Sequence, residues 1–425
     1  MTEPSNLEDA PIDTPPHPQK GALRAIFLIV LADLMGFGVI IPLLPFYARK
    51  YAASDFQVGL LFSIYSACQL VGSPILGLIS DRYGRRPVLI ASQAGSVIGF
   101  LLLGYATYGD WSGAPVLGLT LVYISRVIHG FSGGYISTAL AYVSDVTTAA
   151  DRAKGMGLLG AAFGIGFSIG PALGGILGHF DVSLPAFAAA GFCALAVWQT
   201  WRYLPESRVH KPSETEAWLH PSRFLPILGN APLMQMLLIF FFSMMAFVMM
   251  ESILAIFLAD LMNYGELQVG LLFGLAGLVI VVVQGRMVGK WSKRFGEWPL
   301  VIAGPVMVAI AMLMMALLGI VPALWLLVLA IIANATGRSL QQPTLSAVIS
   351  HESDANQQGT VFGLFHMLGS LARVVGPIIA TGIYTNHPVA PFLLAGGITL
   401  AAAGWSALVW QRVRRRAVAA PAYSS

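Results

Sequence analysis

The sequence FQVGLLF at Phe56–Phe62 recurs as LQVGLLF at Leu267–Phe273, and this repeat decides the fold. Two further matches follow in the same order. These are GLISDRYGRRP from Gly77 with GKWSKRFGEWP from Gly289, and Gly170-Pro171 with Gly376-Pro377. Three ordered matches predict that the chain is built from two halves of the same architecture.

The composition excludes a soluble protein. Of the 425 residues, 56% are hydrophobic and only 10% are charged, and the mean hydropathy is +0.74. Soluble domains carry about 25% charged residues. The formal charge of +4 does not indicate nucleic acid, because the basic residues fall between apolar runs. Cys68 and Cys193 lie far apart in apolar segments, so neither a disulfide framework nor a metal site is expected.

The apolar runs predict an all-α membrane protein with twelve transmembrane helices in two pseudo-symmetric six-helix halves. A spanning helix needs about 20 mostly apolar residues. The runs that meet this length are 22–47, 57–79, 86–108, 116–138, 153–178, 184–203, 231–261, 267–290, 298–320, 322–345, 357–384 and 388–411.

Lysine and arginine stay preferentially on the cytoplasmic side of a membrane. With a cytoplasmic N-terminus, eighteen of the 24 basic residues lie inside, two (Arg49 and Lys50) lie outside and four lie within helices. Both termini are therefore predicted to be cytoplasmic. The predicted division is a disordered tail 1–21, a first half 22–203, a cytoplasmic linker 204–229, a second half 230–411 and a basic tail 412–425.

The segment from Gly77 to Pro87 lies in the predicted cytoplasmic loop between helices 2 and 3, and it resembles GxxxDRxGRR, the signature loop of the major facilitator superfamily. Its glycines allow close helix contact and a tight backbone. In the family this loop latches the two halves on the cytoplasmic side. The resemblance implies a cytoplasmic gate formed by Gly77, Asp81, Arg82, Gly84, Arg85 and Arg86, with Asp145 and Arg152 after helix 4.

Helix 5 carries glycines at spacings that resemble the antiporter signature of the drug:proton branch of that family. Glycines along one face let helices pack closely, and a proline bends a helix. The residues concerned are Gly157, Gly166, Gly170, Pro171, Gly174 and Gly175.

Together with helix 1 and helix 4, these motifs resemble the tetracycline-resistance-like group. The resemblance implies a proton-coupled antiporter of the bacterial inner membrane that exports small amphipathic solutes by alternating access. It implies no enzymatic activity, no cofactor beyond the proton and a monomer. Tetracycline pumps also carry acids in helices 3 and 9. Here Gly99 takes the first position and the predicted helix 9 has no acid, so tetracycline itself is not indicated.

Ionisable residues inside the membrane are costly and indicate function. Asp33 and Arg126, on helices 1 and 4, are predicted to couple the proton, with the pair meeting in only one state. Glu251 on helix 7 and Arg338 on helix 10 are predicted to bind substrate, with Glu251 contacting a cationic group of the solute. Methionine and aromatic side chains suit varied ligands, so the predicted substrate site also includes Met245, Phe247 and Asn334.

Two other interpretations stay open. An organic-anion exchanger would use Arg126, Arg338 and Arg373 as a clamp. A membrane sensor without transport would keep the fold and lose the exchange.

Overall fold

The structure is a computed structural model that describes residues 20–148, 151–207, 227, 229–353 and 357–419. Within these residues, twelve helices are long and apolar enough to span a membrane, which confirms the predicted number. In chain order they are α1 Gly21–Arg49, α2 Asp55–Tyr83, α3 Arg85–Tyr108, α4 Pro115–Val146, α5 Gly155–Phe180, α6 Leu184–Tyr203, α7 Ala231–Met262, α8 Glu266–Phe295, α9 Glu297–Leu318, α10 Leu324–His351, α11 Thr360–Tyr384 and α12 Ala390–Arg415. The predicted N-terminal tail and the linker lie largely outside the described residues, whereas the predicted C-terminal tail begins as a continuation of the last helix, which runs from Ala390 to Ala419.

Five helices end at least four residues beyond their predicted ends, because a helix can continue after the hydropathy signal has ended. These are α2, α4, α8, α10 and α12. One correction follows: α2 runs to Tyr83 and α3 begins at Arg85, so the predicted loop between them is helical except at Gly84. A second correction concerns α9, which begins at Glu297 and so contains an acid at its first residue. Glu297 lies within 3.4 Å of His351 at the end of α10, away from the middle of the membrane.

Two of the long helices are irregular. In α4 the regular helix stops at Ser132 and resumes at Tyr135. There α4 crosses α2 so closely that a Cβ on Gly134 would lie 2.6 Å from the carbonyl carbon of Gly72. In α8 the segment Val283–Val288 is a π-helix, a form that is frequent at functional positions.

Helices pack extensively both within each run of six and between the two runs. In the first run, α1 packs on α5 and α6, and α3 packs on α4 and α6; in the second, α9 packs on α10 and α12, and α7 packs on α11 and α12. Between the runs, the main contacts are α2 with α11 and α5 with α8. The site therefore lies between two bundles that meet along two pairs of helices.

The α5–α8 contact is made by small residues on one face of each helix. A Cβ on Gly277 would lie 2.3 Å from Cα of Ser168, and a Cβ on Gly175 would lie 2.8 Å from Cα of Gly270. Further along the same two helices the faces have parted. At four glycines there, no atom of a neighbouring helix would lie within 4 Å of an added Cβ; these are Gly157, Gly160, Gly285 and Gly289.

We call the end of the bundle where the halves touch the closed end; it is marked by Arg49, Asp55, Asp260 and Tyr384. The opposite end, which carries the segment from Asp81 to Arg86 and the glycines that have parted, is called the open end.

Candidate functional site

Three arginines lie in the interior of the bundle: Arg126 on α4, Arg338 on α10 and Arg373 on α11. Within the described part of the chain, none of them has a carboxylate oxygen within salt-bridge distance. Arg126 and Arg338 hold related positions in the two halves, because their separation exceeds that of Gln57 and Gln268 by a single residue. Buried charges without a direct counter-ion are costly, so these arginines mark the functional centre.

Arg126 is 2% exposed, and its Nε and Nη2 atoms have no hydrogen-bond partner among the described residues. Its guanidinium carbon lies 5.6 Å from the centre of the Phe100 ring on α3. Two neighbouring polar atoms are also buried without partners, the hydroxyl of Tyr47 and Nδ1 of His129. Arg126 therefore presents hydrogen-bond donors that the protein itself leaves unused.

Arg338 is held by side chains of α7. Its guanidinium carbon lies 3.6 Å from the centre of the Phe247 ring, a cation–π contact, and its Nη2 atom donates to Sδ of Met244 at 3.1 Å. The structure thus brings together two predicted site residues, Arg338 and Phe247. Met244, the next residue to the predicted Met245, makes the contact instead.

The other predicted residues of this half are less directly engaged. Met245 is buried in the core of the second half, on the side of α7 where its carbonyl oxygen faces Gly376 of α11. Asn334 donates through Nδ2 to Sδ of Met250 at 3.7 Å, and its Oδ1 atom has no partner. Its free acceptor is available to a solute donor.

Glu251 lies within electrostatic reach of both Arg338 and Arg373. In the part of the chain that the structure describes, it makes no hydrogen bond and no salt bridge. Its predicted role, contact with a cationic group of the solute, stays a prediction. The structure adds that two cations of the protein already act on this carboxylate.

Asp33 lies apart from the arginines. It is 4% exposed, and its Oδ1 atom accepts from Sγ of Cys193 on α6 at 3.4 Å. The hydroxyl of Tyr135 on α4 lies beside the carboxylate, outside hydrogen-bond geometry. Arg126 is not among its neighbours in this structure. The two residues predicted to couple the proton are therefore separate here, which leaves their meeting to another state.

Two loop carboxylates at the closed end differ from these buried acids. The hydroxyl and N–H of Ser183 donate to Asp181, and these bonds lower the pKa of that carboxyl. The N–H of Ser112 donates to Asp110 and lowers the pKa of Asp110. Both acids therefore stay ionised at neutral pH and are poor proton carriers.

The signature loop is organised around Arg85. Its Nη1 atom lies 2.7 Å from Asp81 Oδ1, and its Nε atom lies 3.2 Å from Asp145 Oδ2 at the end of α4. Glu206, just after α6, accepts from the backbone N–H groups of Arg85 and Arg86 at 2.9 and 3.1 Å. These contacts join helices of the first half, and they bring Asp81, Arg85 and Asp145 together as the motif predicts.

The remaining loop residues have smaller parts. Gly84 has φ +103°, and a Cβ there would lie 2.5 Å from Oε2 of Glu206, so glycine is required. Gly77 faces Ser137 of α4 across 3.8 Å. Arg82 lies over the ring of Tyr83, and Arg86 donates to the carbonyl of Trp201. The side chain of Arg152 lies outside the described residues.

The glycines of the antiporter motif seat α5 between α1 and α8. A Cβ on Gly166 would lie 2.9 Å from Cβ of Leu34, and one on Gly174 would lie 2.1 Å from the carbonyl oxygen of Val39. Gly170 packs on Gly38 in the same way, and Gly175 faces α8 beside Pro171. Gly157 has no neighbour within 4 Å. The motif therefore serves helix packing at the closed end, and its first glycine lies where the helices have parted.

Gly99 fills the position where tetracycline pumps carry an acid. A Cβ there would lie 3.1 Å from Cβ of His129, because α3 and α4 pack closely at this point. Any larger residue at this position would need α4 to shift by a few tenths of an ångström.

Two like halves of six membrane-spanning helices, joined at one end around buried ionisable side chains, define a secondary transporter. The family model described as Major Facilitator Superfamily matches residues 26–377 and 289–422. The chain belongs to this superfamily, and it is a multi-pass integral membrane protein that handles small molecules.

The proteins to which this chain is similar include drug-resistance proteins. The chain is 30% identical over 394 residues to the tetracycline resistance protein, class C, of Escherichia coli, covering 92% of each chain. It is 27% identical over 410 residues to multidrug resistance protein 2 of Bacillus subtilis (strain 168), covering 93% of this chain and 98% of that one. Among solved structures, the human organic anion transporter MFSD10 (TETRAN) superposes with a TM-score of 0.69 at 25% identity, over 92% of this chain and 99% of that one.

Proposed function

We propose that this protein exports small amphipathic, drug-like solutes from the cytoplasm in exchange for protons, by alternating access. One observation carries the proposal. The two halves touch at the closed end and part at the open end, around buried side chains that can bind solute and proton. The resistance proteins to which the chain is similar support efflux as the direction of transport.

The basic residues support an assignment of sides. The open end carries the signature loop and the basic segment Gly289–Phe295, and positive charge favours the cytoplasmic side. On this assignment both termini are cytoplasmic and the structure is the inward-facing state. A bacterial inner membrane is the natural location, given the bacterial relatives.

Asp33 is our candidate for the proton. It is a buried carboxylate that is sealed between α1, α4 and α6, away from the arginines. Protonation removes the cost of burying its charge. A change in the packing of α1 against α4 would alter that cost, and it would thereby couple the proton to the conformation.

The test uses purified full-length protein in proteoliposomes that enclose a pH-indicator dye. Ethidium, a cationic probe, and 1-naphthylacetate, an acidic one, are added to vesicles with a preset proton gradient. We expect at least one of them to discharge the gradient with wild-type protein and neither to do so with Asp33→Asn. The control is Asp110→Asn, which changes an exposed loop acid and should behave as wild type.

Counterflow of labelled probe separates the alternatives. Counterflow without proton movement would leave an exchanger, as the organic-anion interpretation requires, and would refute proton coupling. No counterflow and no gradient discharge with either probe would favour a sensor.

A further inference from the structure

The unpartnered atoms of Arg126 form one edge of its guanidinium. Nε and Nη2 point the same way, and both are buried without a hydrogen-bond partner. This edge takes the two oxygens of a carboxylate or similar oxyanion as a bidentate fork. Arg126 is only 2% exposed, and no described residue supplies an acceptor for this edge. The edge is therefore a candidate binding site for an acidic ligand.

A second arginine faces the same place from the other half. Tyr65 on α2 lies within electrostatic reach of both Arg126 and Arg373. The only hydrogen bond of Arg373 found in the described residues is to Oγ of Ser370 on its own helix, at 3.2 Å. Tyr65 is therefore within electrostatic reach of two arginines that belong to opposite halves, and also of Asp33 on α1.

The side chains around Arg126 suit a ligand whose remainder is apolar and preferably aromatic. The ring of Tyr65 stacks on Phe37 with centroids 5.0 Å apart. His129 lies 5.0 Å from Tyr65 and 4.1 Å from Phe100, centroid to centroid. Flat rings attached to an acidic group can place the ring among these side chains while the acid reaches the guanidinium.

The balance of charge points the same way. Glu251 is the one carboxylate that acts on Arg338 and Arg373 among the described residues, whereas Asp33 acts on Tyr65. Three buried arginines therefore accompany two buried carboxylates. A purely cationic solute would meet an excess of positive charge, whereas an acidic one relieves it.

We propose that the solute exported by this protein is an amphipathic organic acid, whose oxyanion binds the Nε–Nη2 edge of Arg126 and the guanidinium of Arg373 across the interface of the halves. This inference rests on the proposed efflux function and specifies its substrate class. Arg126 and Arg373 are then the residues that determine specificity.

The experiment measures binding to detergent-purified full-length protein by calorimetry at neutral pH, without any ion gradient. The probes share one ring system: 1-naphthylacetate, 1-naphthylacetamide and 2-(1-naphthyl)ethylammonium. We expect the acetate to bind at least tenfold more tightly than the other two. Arg126→Gln and Arg373→Gln should each reduce its affinity to that of the amide, and Arg126→Lys should be intermediate because lysine keeps the charge and loses the fork.

Two controls accompany the series. Arg412→Gln, at an exposed position near the end of α12, should leave all three affinities unchanged. Melting temperatures identify any variant that fails to fold. If Arg126→Gln does not fold, the binding preference of the wild type and the affinity of Arg373→Gln still test the proposal. Added phosphatidylglycerol should not displace the acetate; displacement would show that the seat belongs to a lipid headgroup and would overturn the proposal.

The proposal is also overturned if no probe binds, if the amide or the ammonium compound binds as tightly as the acid, or if the preference survives both glutamine variants. Failure of the efflux function gives a different result. If the protein prefers the acid but exchanges no protons in vesicles, proton coupling is refuted and the proposed acid-binding site stands. If the protein transports ethidium with protons but shows no preference for the acid, the efflux function stands and the proposed acid-binding site is refuted.

Discussion

Arg49 and Asp260 form a bidentate ion pair between the two halves of the bundle, with Nη1–Oδ1 at 2.6 Å and Nη2–Oδ2 at 3.0 Å. Asp55 binds the same guanidinium at 3.1 Å, and the hydroxyl of Tyr384 donates to Asp260 at 2.8 Å. Two helix ends of the first half are thereby tied to two of the second. Since these side chains are partly exposed, the pair contributes only about 0–1 kcal/mol.

Asp260→Asn should therefore loosen the closed end without unfolding the protein. We expect the fraction of molecules in which the halves have separated at the closed end to rise by up to about fivefold, which corresponds to about 1 kcal/mol. Distances between spin labels across the closed end would measure the shift. Asp55→Asn is the matched control, because it leaves the bond between the halves in place. An unchanged distance distribution in Asp260→Asn would show that packing alone holds this end.

The glycines of α8 should respond according to their position. Gly277→Ala places a methyl group 2.3 Å from Cα of Ser168, and overpacking of this kind costs about 1–3 kcal/mol. We expect a lower melting temperature and slower transport. Gly289→Val, at the open end, meets no atom within 4 Å in this state.

Gly289→Val should therefore leave the melting temperature of the form described here unchanged. It should still slow transport if, as proposed, the other state brings α5 and α8 together there. Transport at the wild-type rate in this variant would mean that these two faces never meet.

The signature loop offers a prediction about Glu206. Its carboxylate binds the first two N–H groups of α3, where a negative charge is worth about 0.3–1 kcal/mol. Both Glu206→Gln and Asp81→Asn should reduce transport strongly and lower stability by less than about 1 kcal/mol. Transport assays and melting curves would test this, with Asp110→Asn as control. Normal transport in both variants would limit the loop to a role in topology.

Glu251→Gln distinguishes two possible roles of this carboxylate. If the carboxylate competes with the solute for Arg338 and Arg373, the variant should bind 1-naphthylacetate more tightly than wild type. If it contacts a cationic group instead, as the sequence predicts, the variant should lose affinity for ethidium by about 1–3 kcal/mol, the scale of a lost bond to a charged group. Calorimetry with both probes decides, and no change with either would make Glu251 structural.

The assignment of sides can be tested by labelling. Single cysteines in the 204–229 segment should react with impermeant reagents only from the cytoplasm. Cysteines beside Asp110, at the closed end, should react only from outside. The reverse pattern would exchange the two faces and the direction of every step proposed above.

The repeat and the apolar runs were sufficient to predict twelve helices, because each span must satisfy its backbone hydrogen bonds internally and so leaves a strong signal. Helix ends were predicted less well. The last residues of α10, up to His351, are helical yet polar, and hydropathy detects only the part that faces lipid or core.

The site could be predicted in parts. Arg126 and Arg338 were found because a charge in an apolar run is conspicuous. Their contacts depend on how helices rotate against each other, which sequence spacing does not give. The contact of Met244 with Arg338 is one that the sequence did not indicate.

Tyr65 and Glu206 carry no mark in the sequence. An interior tyrosine and an acid after a helix are both common, and only the placement of α2 and α6 shows what each one touches.

The excess of buried arginines over buried carboxylates has a consequence for the charge that transport moves. If an anion leaves the cell while one proton enters, each cycle moves two elementary charges in the same sense. A membrane potential acts on each charge with about 2.3 kcal/mol per 100 mV. Export of an acid by this protein would therefore produce a measurable current and would draw on the potential as well as on the pH gradient, whereas export of a monovalent cation for one proton would be electrically silent.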